Sequence, residues 1–326
     1  MQPITSRNYT GESDLQAMLD LLVESRLQTD DWRYPHVGEL LWNYFMVLIH
    51  LEPSKHIRLW QAGEKLVGEP ILGEPILGEP ILGYAMLGED PTFDVQVHPD
   101  YAWRGIEDEA LDWAETLLIE LRRSDPERWG GTLVSGSRQD DSQRMAFLER
   151  HGFHPSGEFS EVNLLRSLEG PLPEPLLPPG CQVRAVQPDE LSDRAAAQRE
   201  VWQPWTVGEV SDEDYAQLMR LPGYDPELDI VSVTPDGVIA AYVNGWADPL
   251  NKIGDLGPVG ARPAYRRQGL TKAVLLECLR RMQARGMQRV SVSTNNLPAR
   301  RLYESVGFRV VNEYIEYVKA GQAEGG

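Results

Sequence analysis

Residues 259–279 read VGARPAYRRQGLTKAVLLECL, and the fold follows from how this stretch is parsed. A strand ending in Val259, Gly260 and Ala261 runs into a loop, Arg266-Arg267-Gln268-Gly269-Leu270-Thr271, and the loop opens a helix. Leu270, Val274, Leu275, Cys278, Leu279 and Met282 fall on one face of that helix, so it packs on a sheet, and Gly286 ends it. The unpaired N–H groups of a helix start and the positive end of its dipole make a site for a pyrophosphate. Gly269 lets backbone approach the phosphates, and Arg266, Arg267 and Lys272 add charge for the same anion. The same residues also suit a solvated basic helix start with a turn glycine. Neither G-x-G-x-x-G nor G-x-x-x-x-G-K-[ST] is present, so the dinucleotide and P-loop readings lose their usual support.

Charge sharpens the choice. The chain carries 31 basic and 50 acidic residues, a net −19, which argues against nucleic acid or an anionic membrane as partner. Residues 262–301 run the other way, with ten Arg or Lys and one acid, Glu277. A basic island in an acidic protein calls for an anionic ligand. Cys181 and Cys278 are far apart, with no C-x-x-C, so neither a disulfide framework nor a metal site is indicated. No apolar run reaches membrane-spanning length and the N-terminus lacks a signal-peptide pattern, so a cytoplasmic protein is expected.

At 326 residues the chain has room for two domains. The Pro-rich stretch 168–180, LEGPLPEPLLPPG, reads as a semi-rigid linker, and a similar order of elements recurs on both sides of it. The expected organisation is an N-terminal domain over 1–167, the linker, a C-terminal domain over 181–320 and a tail over 321–326. Residues 68–83, GEPILGEPILGEPILG, are an insertion: Pro70, Pro75 and Pro80 block a helix, and a period of five fits no strand alternation. Excising Glu69 to Gly83 restores a hairpin, so the copy beside Tyr84, Ile81-Leu82-Gly83, is expected to pair while the rest loops out.

The loop resembles the R/Q-x-x-G-x-G/A motif of the Gcn5-related N-acetyltransferases, the GNAT superfamily, with Thr271 in the last position. Downstream, Asn296 to Phe308, NLPARRLYESVGF, is similar to the family's N-x-x-A-x-x-L-Y-x-x-x-G-F. The resemblance implies an α/β fold of two tandem GNAT-like domains, each a mixed, mostly antiparallel twisted sheet flanked by helices. It implies acetyl-CoA as co-substrate, with no metal. It also implies that Val259 and Ala261, across Gly260, bond the pantetheine through their backbone. Arg266 to Thr271 and Lys272 would then hold the pyrophosphate, Asn296 would touch the pantetheine arm, and Tyr303 would protonate the leaving thiolate.

The base is open, since all six histidines lie in the first half; Asp255 alternates along its strand with Gly257 and Val259 and is the carboxylate candidate. Glu209, with Trp202, Trp205 and Tyr215 as an aromatic lining, stands where the family places its acceptor-facing helices. The first half departs from the motif: its loop reads Ala102-Trp103-Arg104-Gly105-Ile106-Glu107, Leu148 fills the tyrosine slot, and a carboxylate at Glu107 repels phosphate. That copy reads as degenerate. The expected function is acetyl transfer to a small-molecule primary amine by direct attack in a ternary complex. The alternative is a CoA-binding module without catalysis. Acceptor, acyl length and oligomeric state are left open.

Overall fold

The computed structural model describes residues 3–29, 33–62, 80–204 and 209–320. The first half runs β1 (Ile4–Asn8), α1 (Glu12–Thr29), α2 (Val37–His50), α3 (Pro53–His56), β2 (Ile57–Ala62), β3 (Gly83–Leu87) and β4 (Phe93–Val97). It continues with α4 (Ile106–Ser124), α5 (Pro126–Trp129), β5 (Leu133–Arg138), α6 (Ser142–Arg150) and β6 (His154–Ser167). The second half repeats the plan as β7 (Gln182–Ala185), α7 (Leu191–Trp202), α8 (Asp212–Leu218), β8 (Asp229–Val233), β9 (Ile239–Asp248) and β10 (Ile253–Ala261). It closes with α9 (Leu270–Ala284), β11 (Arg289–Thr294), α10 (Leu297–Ser305) and β12 (Arg309–Lys319).

Contacts group the chain into two units that cross the expected sequence boundaries. Unit 1 comprises Met1–Pro35, Met46–Val162 and Asn312–Gly326, and unit 2 comprises His36–Phe45 and Asn163–Val311. Each unit thus takes a strand from the other half of the sequence. In unit 1, Tyr314–Lys319 of β12 pair antiparallel with β5, register Tyr314 to Arg138. The 163–167 end of β6 counts with unit 2, where β6 neighbours β11.

Unit 1 also holds the antiparallel sheet β1-β2-β3-β4. The last copy of the repeat enters it: the Leu82 N–H donates to Trp60 O at 2.7 Å, and Leu82 O accepts from the His98 N–H at 2.8 Å. Gly83 then faces both Trp60 and Val97, and Ile81 and Leu82 are buried. The earlier copies, expected to loop out, fall within 63–79 and lie outside the described residues. On α4 the buried side chains Ile106, Ala110, Leu111, Ala114 and Leu118 recur at helical spacing and join Trp60, Phe93, Phe147 and Tyr317 in one core.

In unit 2 the strand order is β6-β11-β10-β9-β8-β7, parallel between β10 and β11 and antiparallel from β10 to β7. Helix α9 buries Leu270, Val274, Leu275, Cys278, Leu279 and Met282, the face its periodicity gives. The Pro-rich stretch runs along this helix: Gln283 donates to Gly170 O at 2.8 Å, Arg280 pairs with Glu174, and Leu177 packs on Ala240, Ala241 and Leu270. Among the described residues no helix is long and apolar enough to cross a membrane.

Candidate active site

The loop before α9 alternates backbone hand. Arg267 has φ 65° and Gly269, the residue before the helix, has φ 83°, both in the left-handed region that favours glycine. Successive amides turned this way form a concave nest for an anion. Gly269, the residue before α9, has no side chain to cap the helix start, and no side-chain hydrogen bond caps it among the described residues. Arg266, Arg267, Gln268 and Gly269 are exposed, as is Lys272. Arg266 is steered by its own loop, its Nε donating to Ala261 O at 3.2 Å.

The sheet parts next to this loop. The parallel register between β10 and β11 covers Ile253–Asp255 against Arg289–Ser291, although β10 continues to Ala261 and β11 to Thr294. On its other side β10 stays paired with β9, with an irregularity between Leu256 and Val259. The Arg262 N–H donates to Ala240 O at 2.9 Å, so by alternation Gly260 also faces β9, and the backbone of Val259 and Ala261 faces the gap. Gly260 is required there: a Cβ would lie 2.5 Å from Val201 Cγ1 and 3.0 Å from the Tyr242 hydroxyl.

Tyr303 sits on α10 at 5% exposure, its ring 6.0 Å from that of Phe308. Asn296 caps the same helix, its side chain accepting from the Ala299 N–H at 3.1 Å, which leaves its amide NH₂ directed elsewhere. Asp255, half-buried at the last paired position before the gap, accepts from the Ser291 hydroxyl at 2.6 Å.

A histidine from the first half belongs to this unit after all. His36 is 2% exposed and its Nε2 lies 3.3 Å from Ile253 O, two residues from Asp255. The Gly38 N–H donates to His36 Nδ1 at 3.0 Å, which places the ring proton on Nε2 and directs it to that carbonyl. Both nitrogens are engaged, so His36 is a strut rather than a base. Nothing local in the sequence marks it: its place depends on Gly38, where a Cβ would meet Trp246 Cγ at 2.4 Å.

The expected acceptor residues separate. Trp202, half-buried at the end of α7, donates its indole N–H to the Tyr242 hydroxyl at 2.8 Å. Glu209 is exposed, and Trp205 lies outside the described residues. Tyr215, read from sequence as part of an aromatic lining, is 1% exposed, and its hydroxyl donates to Asp229. It belongs to a buried network that sequence reasoning missed: Arg194 bonds Asp229 at 3.0 Å and Asn244 at 2.7 Å, under the Tyr242 ring at 3.6 Å. Burial alone would pull the Arg194 pKa down, but the Asp229 charge and the flanking tyrosines hold it above its ordinary value, so the guanidinium stays charged.

The corresponding loop of unit 1 keeps the backbone and loses the opening. Trp103 has φ 60° and Gly105 φ 110°, the same alternation as Arg267 and Gly269. Here Glu107, 4% exposed, accepts the Trp103 N–H at 2.7 Å. A carboxylate of the chain itself takes a donor that the loop would otherwise turn to a phosphate. Among the described residues no group of His, Cys, Asp and Glu is arranged to hold a metal ion.

Residues 195–308 match the family model described as Acetyltransferase (GNAT) family. The Mycothiol acetyltransferase of Acidothermus cellulolyticus is 27% identical over 260 residues, covering 73% of this chain and 74% of that one. That of Arthrobacter sp. FB24 is 26% identical over 223 residues, and the match spans only 66% of its length. In fold the chain resembles a GCN5-related N-acetyltransferase from Sphaerobacter thermophilus (TM-score 0.61, 22% identity, 98% and 96% coverage). It also resembles a tandem GNAT protein from the clavulanic acid biosynthesis pathway (TM-score 0.62, 16% identity, 99% and 100% coverage). These matches define an acetyltransferase domain on a doubled α/β fold. Residues 195–308 are thus a GNAT-type acetyltransferase domain, and the chain as a whole has the fold of a tandem GNAT protein.

Proposed function

We propose that unit 2 binds acetyl-CoA and transfers its acetyl group to a primary amine of a small molecule by direct attack in a ternary complex. The observation that carries this reading is the open nest of Arg267 and Gly269 before an uncapped α9, beside the gap between β10 and β11. The nest and the helix start hold the pyrophosphate, with Arg266, Arg267 and Lys272 supplying charge. The backbone of Val259 and Ala261 offers strand-like hydrogen bonds to the amides of a pantetheine arm in the gap. Asn296 is free to reach the same arm with its NH₂.

Attack by an amine on a thioester needs a neutral nucleophile, a polarised carbonyl and a proton for the leaving sulfur. Asp255 at the mouth of the gap is the base or the anchor of a water that acts as one, and Ser291 fixes its carboxylate. Tyr303 is the acid. Trp202 and Glu209 are the candidates that remain for contact with the acceptor. The relatives' name makes the mycothiol series the first acceptors to assay. A CoA-binding module without catalysis has no use for a buried hydroxyl at Tyr303, which is why transfer is preferred.

Calorimetry with acetyl-CoA, paired with a thiol-release assay over an amine panel, tests the proposal. One site per chain that disappears in Gly269→Glu, together with amine-dependent CoA release, is the expected result. Two equal sites, or a site indifferent to Gly269→Glu, overturns the assignment to unit 2. Binding with no thiol release for any amine leaves the non-catalytic reading in its place.

A further inference from the structure

Unit 1 contains a pocket of about 310 Å³ beside the loop that Glu107 occupies, lined by Val95, Val97, Pro99, Trp103, Glu107 and Arg144 among others. The volume is at the lower end for small-molecule sites and equals that of roughly ten waters. Its walls are apolar along Val95, Val97 and Pro99, and Trp103, whose ring packs 5.7 Å from that of Phe147, borders it. The wall carries two arginines, Arg33 and Arg144, and a second carboxylate, Asp141; Arg144 is committed to the protein, donating to Gly136 O at 2.7 Å, Val95 O at 3.0 Å and Asp94 at 3.0 Å. The unmet demand is for a donor. Glu107 Oε1 accepts the Trp103 N–H, whereas Oε2 is buried with no hydrogen-bond partner among the described residues. Leaving a buried carboxylate oxygen unmatched is costly unless a ligand or proton meets it.

We infer that this pocket is a second small-molecule site, for a primary ammonium compound with a short apolar body, whose –NH₃⁺ pairs with Glu107 and rests near the Trp103 face. An ammonium supplies the missing donor and neutralises the carboxylate, and an indole face attracts the same cation. Phosphate-bearing ligands are turned away, because Glu107 already fills the nest with a negative charge. The acidic first half favours cations at long range: residues 1–166 hold 14 basic against 29 acidic residues. The pocket does not rest on the acetyl-transfer reading of unit 2, and amines that bind unit 2 are separated from it by the choice of reporter.

The full-length protein is labelled with ¹⁵N at its indoles, the Trp103 resonance is assigned with Trp103→Phe, and n-butylammonium chloride is titrated against n-butanol. A saturable shift of the Trp103 signal in the millimolar range with the ammonium and none with the alcohol is expected. Glu107→Gln, which retains an acceptor for the Trp103 N–H, should weaken that shift at least about tenfold in concentration. Equal responses to ammonium and alcohol, an unchanged response in Glu107→Gln, or no saturation below about 50 mM overturns the inference. Acetyl-CoA should leave the Trp103 resonance in place; a shift by CoA and not by amine makes the pocket a cofactor site and overturns it as well. Should Glu107→Gln fail to fold, the contrast between ammonium and alcohol on the parent protein decides alone.

Discussion

Gly38 and Trp246 touch so closely that a Cβ on the glycine would fall 2.4 Å from the indole Cγ, although 208 positions of sequence separate them. The contact seats the start of α2 on β9, where Trp246 donates its own N–H to Gly257 O at 2.6 Å. It also delivers His36 to the carbonyl of Ile253 on β10. A helix from the first half is therefore built into the back of the candidate active site.

Gly38→Ala forces the indole or the helix to move. The expected cost is about 1–3 kcal/mol, the range for overpacking a filled core. Thermal melts should show it, and acetyl-CoA binding should weaken because β10 carries the strain. A variant as stable as the parent would mean that the contact relaxes without cost.

Tyr303→Phe keeps the ring against Phe308 and removes only the hydroxyl. Turnover at saturating substrate should fall by about two orders of magnitude, the usual scale for a positioned acid, with acetyl-CoA affinity unchanged. Equal loss of affinity would mark the hydroxyl as structural. Unchanged turnover would remove it from the mechanism.

Stability should respond to pH through Glu107. Burial holds its carboxyl above the ordinary glutamate value, and the Trp103 N–H offsets only part of this. A raised carboxyl favours the folded state while protonated, so its contribution is present at low pH and is lost as pH climbs through the raised value. Glu107→Gln never ionises. Its melting temperature relative to the parent should be nearly level at about pH 4 and rise by about pH 8, and a difference that is flat across this span would contradict the assignment.

Deleting Glu69 to Gly83 puts Leu66-Val67-Gly68 where Ile81-Leu82-Gly83 stood, ahead of Tyr84. Val67 then replaces Leu82, whose side chain is 2% exposed, at a cost of about 1 kcal/mol. Shortening the connection recovers a little entropy. The deletion protein should fold, melt within a few degrees of the parent and bind acetyl-CoA equally well. Insoluble expression, or lost binding, would reveal a role for the repeat.

Local chemistry was legible in the sequence and long-range partnership was not. Arg266 to Thr271 announced the nest because a glycine and a basic helix start constrain backbone and charge within six residues. The pairing of Leu82 was legible because strand alternation is a local rule. Tyr215 misled: an aromatic residue on a short acidic helix fits a cleft wall as well as a core, and its place was decided by Asp229 on another element. Arg194 gave no signal, since nothing in LSDRAAAQREVW marks one arginine as buried under Tyr242. The position of His36 depended on a contact with a residue in the other half of the chain.

The exchange of strands sets an order of events during synthesis. Unit 1 pairs β5 with Tyr314–Lys319, so β5 waits for a partner that emerges after all of unit 2 has been translated. A ribosome carrying the first half alone holds a fold with an unfilled slot, and such an exposed edge is a template for misassembly. A nonsense mutation near residue 312 would leave the nest and Tyr303 in the polypeptide yet take from unit 1 the strand that pairs with β5. Extracting unit 2 for separate expression would likewise need α2's first turns supplied in trans or by circular rearrangement of the gene.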